Sequence, residues 1–383
     1  MRAIYLDHAA TTAIRPEVRE AMTPFQDERF GNPSSQHRWG RQARNALEEA
    51  RERVAGGLGA RRREIIFTGG GTEADNLAVL GRWRTVCHDG RGPVVYSAIE
   101  HKAVASAAQQ AGEEGARVIV LGVDGNGRVD LGALDEALHT APCVVSVMWG
   151  NNEVGTVQPV AQIAARCTDA GATFHTDAVQ AFGKVRVRVD EVPCSLLSLS
   201  AHKIGGPKGI GALFLRDSVA VLPLTHGGGQ ERQLRPGTEN VAAAVGFAVA
   251  AELAAHALES ESARLAGLRD RLQAGLLERV PDLVVIAADA ERLPHVLTVS
   301  LQDTDQESLL IGLDLEGLAV SGGSACQSGA IAPSHVLVAM GRAQPGSASV
   351  RMSLGHPTTE ADVAAAIDIF VTVSGRMRVG AVA

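Results

Sequence analysis

Short runs of apolar and β-branched residues alternate with alanine-rich stretches of helical spacing between about residues 60 and 255. The runs predict β-strands at residues 65–68, 94–97, 118–121, 144–148, 174–177 and 196–200. Helices are predicted between them, at residues 104–112, 131–138 and 160–170. Strands that alternate with helices form a mostly parallel sheet with helices on both faces, so the pattern predicts an α/β fold.

The second part of the chain has a different pattern. A long stretch rich in Ala, Leu and Glu, from about residue 241 to 280, predicts helix that connects two domains. Predicted strands at 296–301 and 350–354 then mix with predicted helices at 307–315 and 359–371, which is typical of a smaller α+β domain. A chain of 383 residues exceeds the usual size of one core. We therefore expect a large domain of residues 13–255 and a small domain of residues 1–12 plus 256–383.

Composition narrows the class of protein. Hydrophobic residues make up 45% and charged residues 21%, and the net charge of -7 is spread along the chain. This balance is ordinary for a soluble globular protein and gives no basic face for nucleic acid. No apolar run approaches the roughly 20 residues that span a bilayer, and the first residues do not resemble a secretion signal. We expect a cytoplasmic protein that binds neither membrane nor nucleic acid directly.

Five cysteines indicate the redox environment. Cys87, Cys143, Cys167, Cys194 and Cys326 are odd in number, widely spaced and form no C-x-x-C pair. This spacing argues against a disulfide framework and against a structural zinc site, so no metal is predicted. The segment around Cys326 consists of Gly, Ser and Ala, with no bulky side chain to bury the thiol. An accessible thiol is a candidate nucleophile, although a free cysteine is more commonly a small buried apolar residue.

Polar groups follow the predicted strands, and in parallel sheets ligands bind at the carboxyl ends of strands. Lys203 comes after strand 196–200, in Ser198-Leu-Ser-Ala-His-Lys-Ile-Gly-Gly-Pro-Lys-Gly209. A partly desolvated lysine can lose its proton and form a Schiff base, whereas the ordinary interpretation is a surface loop lysine. Asp177 ends strand 174–177, where a buried carboxylate needs a cationic partner or else caps the next helix.

Glycines precede a hydroxyl in Thr68-Gly-Gly-Gly-Thr-Glu73, just before a predicted helix. Backbone N–H groups and the helix dipole favour an anion there, so the segment around Gly71 and Thr72 suggests a phosphate site. A capped turn without a ligand looks similar. The segment is neither a P-loop nor a dinucleotide fingerprint, because G-x-x-x-x-G-K-[ST] and G-x-G-x-x-G are both absent from it.

Together these segments resemble the cysteine desulfurase family of fold-type I pyridoxal-phosphate enzymes. The resemblance extends from Tyr5-Leu-Asp-His-Ala-Ala-Thr-Thr12 to Val350-Arg-Met-Ser-Leu-Gly355, with the motifs in the family's order. It implies a large sheet domain that binds pyridoxal 5'-phosphate and a small domain that carries the cysteine loop. This sequence departs from the family at Gly70-Gly71 and at Ala201, both of which are small changes. The extended tail with which some relatives dock a scaffold protein is not seen here.

The resemblance also implies a role for each matching residue. Lys203 would bind the cofactor covalently, His101 would stack on its ring and move protons, and Cys326 would accept the sulfur. Asp177 would pair with the pyridine nitrogen and Gln180 with the ring hydroxyl. The phosphate would be bound by Gly71, Thr72, Ser200 and His202. The substrate carboxylate would be bound by Asn152 and Arg351. Thr238 would reach the phosphate of a partner subunit, which implies a homodimer.

The implied activity is removal of sulfur from L-cysteine, which leaves L-alanine and a persulfide on Cys326. His101 is the candidate to take the thiol proton, since histidine titrates near neutral pH. The sulfur would pass to an acceptor protein for iron–sulfur cluster assembly or thio-modification. The alternatives on the same fold are a selenocysteine lyase, a cysteine β-lyase and an aminotransferase. A non-catalytic sulfur-transfer scaffold is the alternative of another class.

Overall fold

A seven-stranded sheet forms the centre of the protein. The computed structural model describes residues 3–86, 92–322 and 334–380. The strands of the sheet lie in the order β2–β8–β7–β6–β5–β3–β4, and β8 is antiparallel to both of its neighbours. The strands are β2 (Ile65–Thr68), β3 (Val94–Ser97), β4 (Val118–Leu121), β5 (Val144–Ser146), β6 (Phe174–Asp177), β7 (Leu196–Ser200) and β8 (Gly211–Leu215). The prediction of an α/β fold with a mostly parallel sheet is confirmed.

Helices cover both faces of this sheet. Successive side chains in a strand point to opposite faces, so Phe67 packs into one cluster and Ile66 into another. One face is covered by α1 (Pro16–Met22), α2 (Arg38–Leu58), α5 (Leu131–Leu138), α6 (Val160–Asp169) and α7 (Val241–His256). The other face is covered by α3 (Gly71–Val86) and α4 (Lys102–Glu113).

The predicted elements agree with the structure in position but not always in extent. Strands β2, β3, β4, β6 and β7 have the predicted bounds, whereas β5 ends two residues early, at Ser146. The long stretch predicted as helical consists of two helices, α7 and α8 (Leu258–Arg279), whose axes are bent by 74°. Among the described residues no single helix could cross a membrane, and only this bent pair meets the length and composition test when taken together.

A second sheet lies in the part of the chain that includes both ends. It has the order β12–β10–β9 and is antiparallel, with β9 (Val284–Val285), β10 (Val296–Leu301) and β12 (Ala348–Ser353). Helices α9 (Gln306–Leu315), α10 (His335–Ala339) and α11 (Glu360–Gly380) belong to this part. Strand β1 (Ile4–Tyr5) pairs with β11 (Leu318–Ala319), so Ile4 and Leu6 join a core cluster made mostly of residues after 264. The domain division at residues 12 and 255 stays a prediction.

Candidate active site

A cavity of about 380 Å³ opens at the carboxyl ends of β2, β3, β5, β6 and β7. Parallel strands end at the same edge of a sheet, and therefore residues distant in sequence meet there. Thr238 is exposed and lies outside this lining, and Cys326 falls outside the described residues. Ten of the predicted site residues line the cavity: Gly71, Thr72, His101, Asn152, Asp177, Gln180, Ser200, His202, Lys203 and Arg351.

Lys203 projects from a short turn that follows β7. Its Nζ donates hydrogen bonds to the carbonyl oxygens of Ala9, at 2.5 Å, and Ala10, at 2.8 Å. Gln180 Nε2 also donates to the Ala9 carbonyl, at 2.9 Å. The N-terminal segment thus forms one wall of the cavity, against two side chains from the large sheet.

Asp177 forms the floor of the cavity, at the end of β6. Its side chain is buried, and Oδ1 accepts a hydrogen bond from the Val179 N–H at 2.8 Å. Burial raises the pKa of Asp177, and the positive charges of His101 and Lys203 oppose that rise. A buried carboxylate in this position is stabilised by a cationic partner.

A polar cluster beneath the floor was not predicted from the sequence. His175 is fully buried in β6, where Nδ1 is 2.8 Å from Ser146 Oγ and Nε2 is 3.0 Å from Ser198 Oγ. Burial lowers the pKa of His175 to about 3, so the ring is neutral. Burial, together with the charge of Asp177, raises the pKa of Asp75 well above its usual value. A histidine in the apolar run 174–177 was the available signal for this cluster.

His101 caps the N-terminus of α4. Its Nδ1 accepts a hydrogen bond from the Ala103 N–H at 3.1 Å, so in the neutral ring the proton is on Nε2. Burial lowers the pKa of His101, and the charge of Asp177 opposes that effect. A neutral His101 therefore presents a proton donor at Nε2, whereas the family resemblance implies a base that takes the thiol proton. Acting as a base would require it to release the helix cap, which costs about 1 kcal/mol.

The far side of the cavity has the features of an anion site. Gly71 begins α3, and a Cβ on it would lie only 2.8 Å from Val179 Cγ2, so the chain approaches closely here. The first N–H groups of a helix have no partner within the helix and favour an anion. Ser200 and His202 come from the end of β7, and His202 Nδ1 is 3.1 Å from Thr11 Oγ1. Burial and the charges of Lys203 and Lys208 lower the pKa of His202 to about 4.

Arg351 enters the cavity from β12 in the second sheet. Nη1 donates to the Asn152 carbonyl at 2.9 Å, and Nη2 donates to Asp7 Oδ1 at 2.7 Å. The residue is 2% exposed, and its Nε has no partner among the described residues. A buried guanidinium with an unused donor fits a carboxylate ligand. The structure places the backbone of Asn152 beside Arg351, and the role of its side chain stays a prediction.

The described cysteines are poor nucleophiles. Cys143, Cys167 and Cys194 are all buried. Burial raises the pKa of both Cys167 and Cys194 to about 12, and only a thiolate attacks readily. Cys87 and Cys326 lie outside the described residues. Within residues 3–86, 92–322 and 334–380, no group of three or more His, Cys, Asp or Glu could hold a metal ion.

Comparisons with known proteins agree with this geometry. The family model for class-V aminotransferases matches residues 4–365. A cysteine desulfurase of Gluconacetobacter diazotrophicus is 44% identical over 381 residues, which cover 99% of this chain and 95% of that protein. A solved NifS-like protein is 34% identical with a TM-score of 0.91, over 98% of this chain and all of that one.

A solved structure of SspA in complex with cysteine is also 34% identical, with a TM-score of 0.81. The match covers 92% of this chain and 98% of that one. The resemblance drawn from the sequence motifs is confirmed by matches along nearly the whole chain. The protein belongs to the class-V aminotransferase family and, within it, to the cysteine desulfurases.

Proposed function

We propose that this chain is a pyridoxal-phosphate-dependent cysteine desulfurase. It takes sulfur from L-cysteine, leaves L-alanine and passes the sulfur through a persulfide on Cys326 to an acceptor. The observation that carries this proposal is a single cavity lined by Lys203, Asp177 and Arg351. These three side chains provide, in one place, an amine, a buried carboxylate and a guanidinium with a free donor.

The residues present fit pyridoxal 5'-phosphate. When bound, this cofactor supplies an aldehyde and an electron-withdrawing ring. The amine of Lys203 would hold the aldehyde, and the buried carboxylate of Asp177 would stabilise a protonated pyridine nitrogen. Gln180 would donate its amide N–H to the ring hydroxyl. The phosphate would be bound by Gly71, Thr72, Ser200 and His202, beside the start of α3.

The substrate is oriented by its carboxylate. Arg351 offers its unpartnered Nε, while Asp7 and the Asn152 carbonyl hold the other guanidinium nitrogens in place. Asn152 adds a side-chain hydrogen bond. With the carboxylate fixed, the Lys203 amine in the same cavity would move the α-proton. His101 presents Nε2–H as a proton donor in the same cavity.

Cys326 is assigned as the sulfur acceptor. Support comes from the burial of Cys143, Cys167 and Cys194, and from the small residues that surround Cys326 in the sequence. Its thiolate forms an S–S bond with the substrate sulfur while the substrate Cβ–S bond breaks. The electron pair of the broken bond ends as a C–H bond of alanine after protonation. A second thiol, on the acceptor protein, then takes the sulfur.

The wider setting is part of the same proposal. Thr238 is exposed and lies outside the cavity of its own chain, which suits a residue that binds the phosphate of a partner subunit. We infer a homodimer on this ground. We also infer a cytoplasmic location, where an iron–sulfur scaffold or a thiolation enzyme accepts the sulfur, because three of the cysteines are buried thiols.

A product assay tests the proposal. Purified protein loaded with the cofactor is incubated with L-cysteine and a thiol reductant, and we expect alanine and sulfide in equal amounts. Lys203→Ala should abolish turnover and the visible absorbance of the lysine-bound cofactor. Cys326→Ala should keep that absorbance yet form no persulfide, whereas the matched control Cys87→Ala should behave as wild type. Pyruvate with sulfide would instead show a β-lyase, and dependence on a keto acid would show an aminotransferase.

A further inference from the structure

A second histidine lines the cavity and is not used in the function proposed above. His335 is the first residue of α10, and its Nε2 is 3.0 Å from the carbonyl oxygen of Glu100. A carbonyl oxygen only accepts hydrogen bonds, so Nε2 carries the proton. In the neutral ring the lone pair is then on Nδ1. Among residues 3–86, 92–322 and 334–380, no hydrogen bond engages this nitrogen.

The two histidines of the cavity are therefore in opposite tautomers. The backbone N–H of Ala103 fixes His101 as a donor at Nε2, and the backbone carbonyl of Glu100 fixes His335 as an acceptor at Nδ1. Both residues line the same cavity, and a charge on His335 adds to the effect of burial in lowering the pKa of His101. His335 can take a proton and keep its hydrogen bond to Glu100, whereas His101 would lose its helix cap.

The backbone around His335 is held in place. Ser334 Oγ accepts hydrogen bonds from the N–H groups of Val336, at 3.1 Å, and Leu337, at 3.4 Å. The same hydroxyl donates to the buried carboxyl group of Glu153. A base must lie within reach of the proton that it accepts. These contacts fix the backbone from which the His335 side chain extends.

Other ionisable side chains line the cavity together with His335. They come from α3 and the start of α4, from the loop after β5, from β6 and the turn after β7, and from β12, and they are Asp75, His101, Lys102, Glu153, Asp177, His202, Lys203 and Arg351. Burial raises the pKa of Glu153, and a positive charge on His335 opposes that rise. A proton taken up at Nδ1 therefore favours the ionised form of the buried Glu153 carboxyl group.

We propose that His335, through Nδ1, accepts the thiol proton of the bound substrate, while His101 acts as the proton donor. This inference rests on the proposed function. The S–H bond breaks, its proton moves to Nδ1, and the sulfur keeps the electron pair needed to leave as a persulfide anion. A base is needed because the thiol of cysteine, with a pKa of about 8.5, is mostly protonated at neutral pH.

The test compares two substrates and two variants. His335→Gln keeps an amide donor for the Glu100 carbonyl but has no basic nitrogen, and His139→Gln is the control at an exposed site. Because general bases contribute about 10²- to 10⁴-fold, we expect His335→Gln to lower kcat/KM for L-cysteine at pH 7 by at least about 10²-fold. With L-selenocysteine, whose selenol is already ionised at that pH, alanine release should be little changed.

Two further readouts separate a base from a structural residue. The loss of kcat/KM for L-cysteine in His335→Gln should become smaller as the pH rises past about 8.5, because the thiol then ionises without a base. Added imidazole should partly restore His335→Ala. Equal losses with both substrates, or no loss with cysteine, would overturn the inference, provided that cofactor absorbance shows a folded site. A wild-type chain that releases no alanine from either substrate would overturn the proposed function and, with it, the inference.

Discussion

The two ends of the cavity are built in different ways. The sheet end, which consists of Asp75 and Asp177 with His175 beneath them, comes from α3 and from the interior of one sheet. The arginine end, which consists of Asp7, Asn152 and Arg351, joins segments up to 344 positions apart in the chain. One sheet and the helix that follows its strand β2 position the groups at the sheet end, whereas the arginine end exists only while both sheets are in contact.

The polar groups at the two ends of the cavity also differ in their hydrogen-bond and ion-pair partners. At the sheet end both nitrogens of His175 have hydroxyl partners, and burial keeps the ring neutral. At the arginine end a charged guanidinium is buried against one carboxylate, with one nitrogen left over. The sheet end is therefore suited to a permanently bound group, and the arginine end is suited to a substrate that binds and dissociates in each catalytic cycle.

The largest effect is expected from neutralising the sheet end. Asp177→Asn keeps the size of the side chain but removes the charge that, in the proposed function, would stabilise the cofactor ring. A buried ionic group left without its partner costs about 3–5 kcal/mol, so cofactor affinity should fall by roughly 10²- to 10⁴-fold. Titration of the cofactor-depleted protein, followed by visible absorbance, measures this affinity. Asp169→Asn, at an exposed position, should leave it unchanged.

A smaller effect is expected at the arginine end. Arg351→Lys keeps the charge but cannot contact Asp7, Asn152 and a carboxylate together. Because hydrogen bonds between charged groups are worth about 1.5–3 kcal/mol, KM for L-cysteine should rise by about 10- to 100-fold while cofactor absorbance is kept. Replacing L-cysteine by its carboxamide should raise KM in the wild type, and this increase should be smaller in Arg351→Lys. An equal increase of KM in the wild type and in Arg351→Lys would show that Arg351 does not bind the substrate carboxylate.

The smallest effect concerns acid stability. The pKa of His175 is about 3 in the folded chain and about 6.5 in the unfolded chain. The stability that comes from its neutral, buried ring is therefore fully present above pH 6.5 and is lost as the pH falls toward 3. Between pH 7.5 and 5, this residue should lower the unfolding free energy by roughly 2 kcal/mol. His175→Asn should remove that part of the pH slope in urea unfolding, and His139→Asn should not. Parallel slopes for wild type and His175→Asn would contradict the assigned burial.

The same contrast explains what the sequence could predict. Asp177, Lys203 and Gly71 follow apolar strands, so local pattern and strand order placed them at one edge. Arg351 was placed only by resemblance, because no local pattern shows which distant segments meet. The paired tautomers of His101 and His335 depend on two backbone contacts that no side-chain pattern encodes. Strand β8 was missed because it follows a glycine-rich turn and pairs antiparallel in a sheet predicted to be parallel.

Strand β8 has a consequence for engineering of the cavity. Some cavity residues, such as His101 and Asn152, lie in connections that lead from a strand into a helix. Lys203 instead lies between β7 and β8, which are bonded directly to each other, with Ser200 opposite Gly211. Both ends of this short connection are fixed by the hydrogen bonds between β7 and β8. An inserted residue therefore cannot be accommodated by a shift of an adjacent helix. Libraries that vary loop length to change the substrate should therefore spare residues 201–210 and target the connections after β3 and β5.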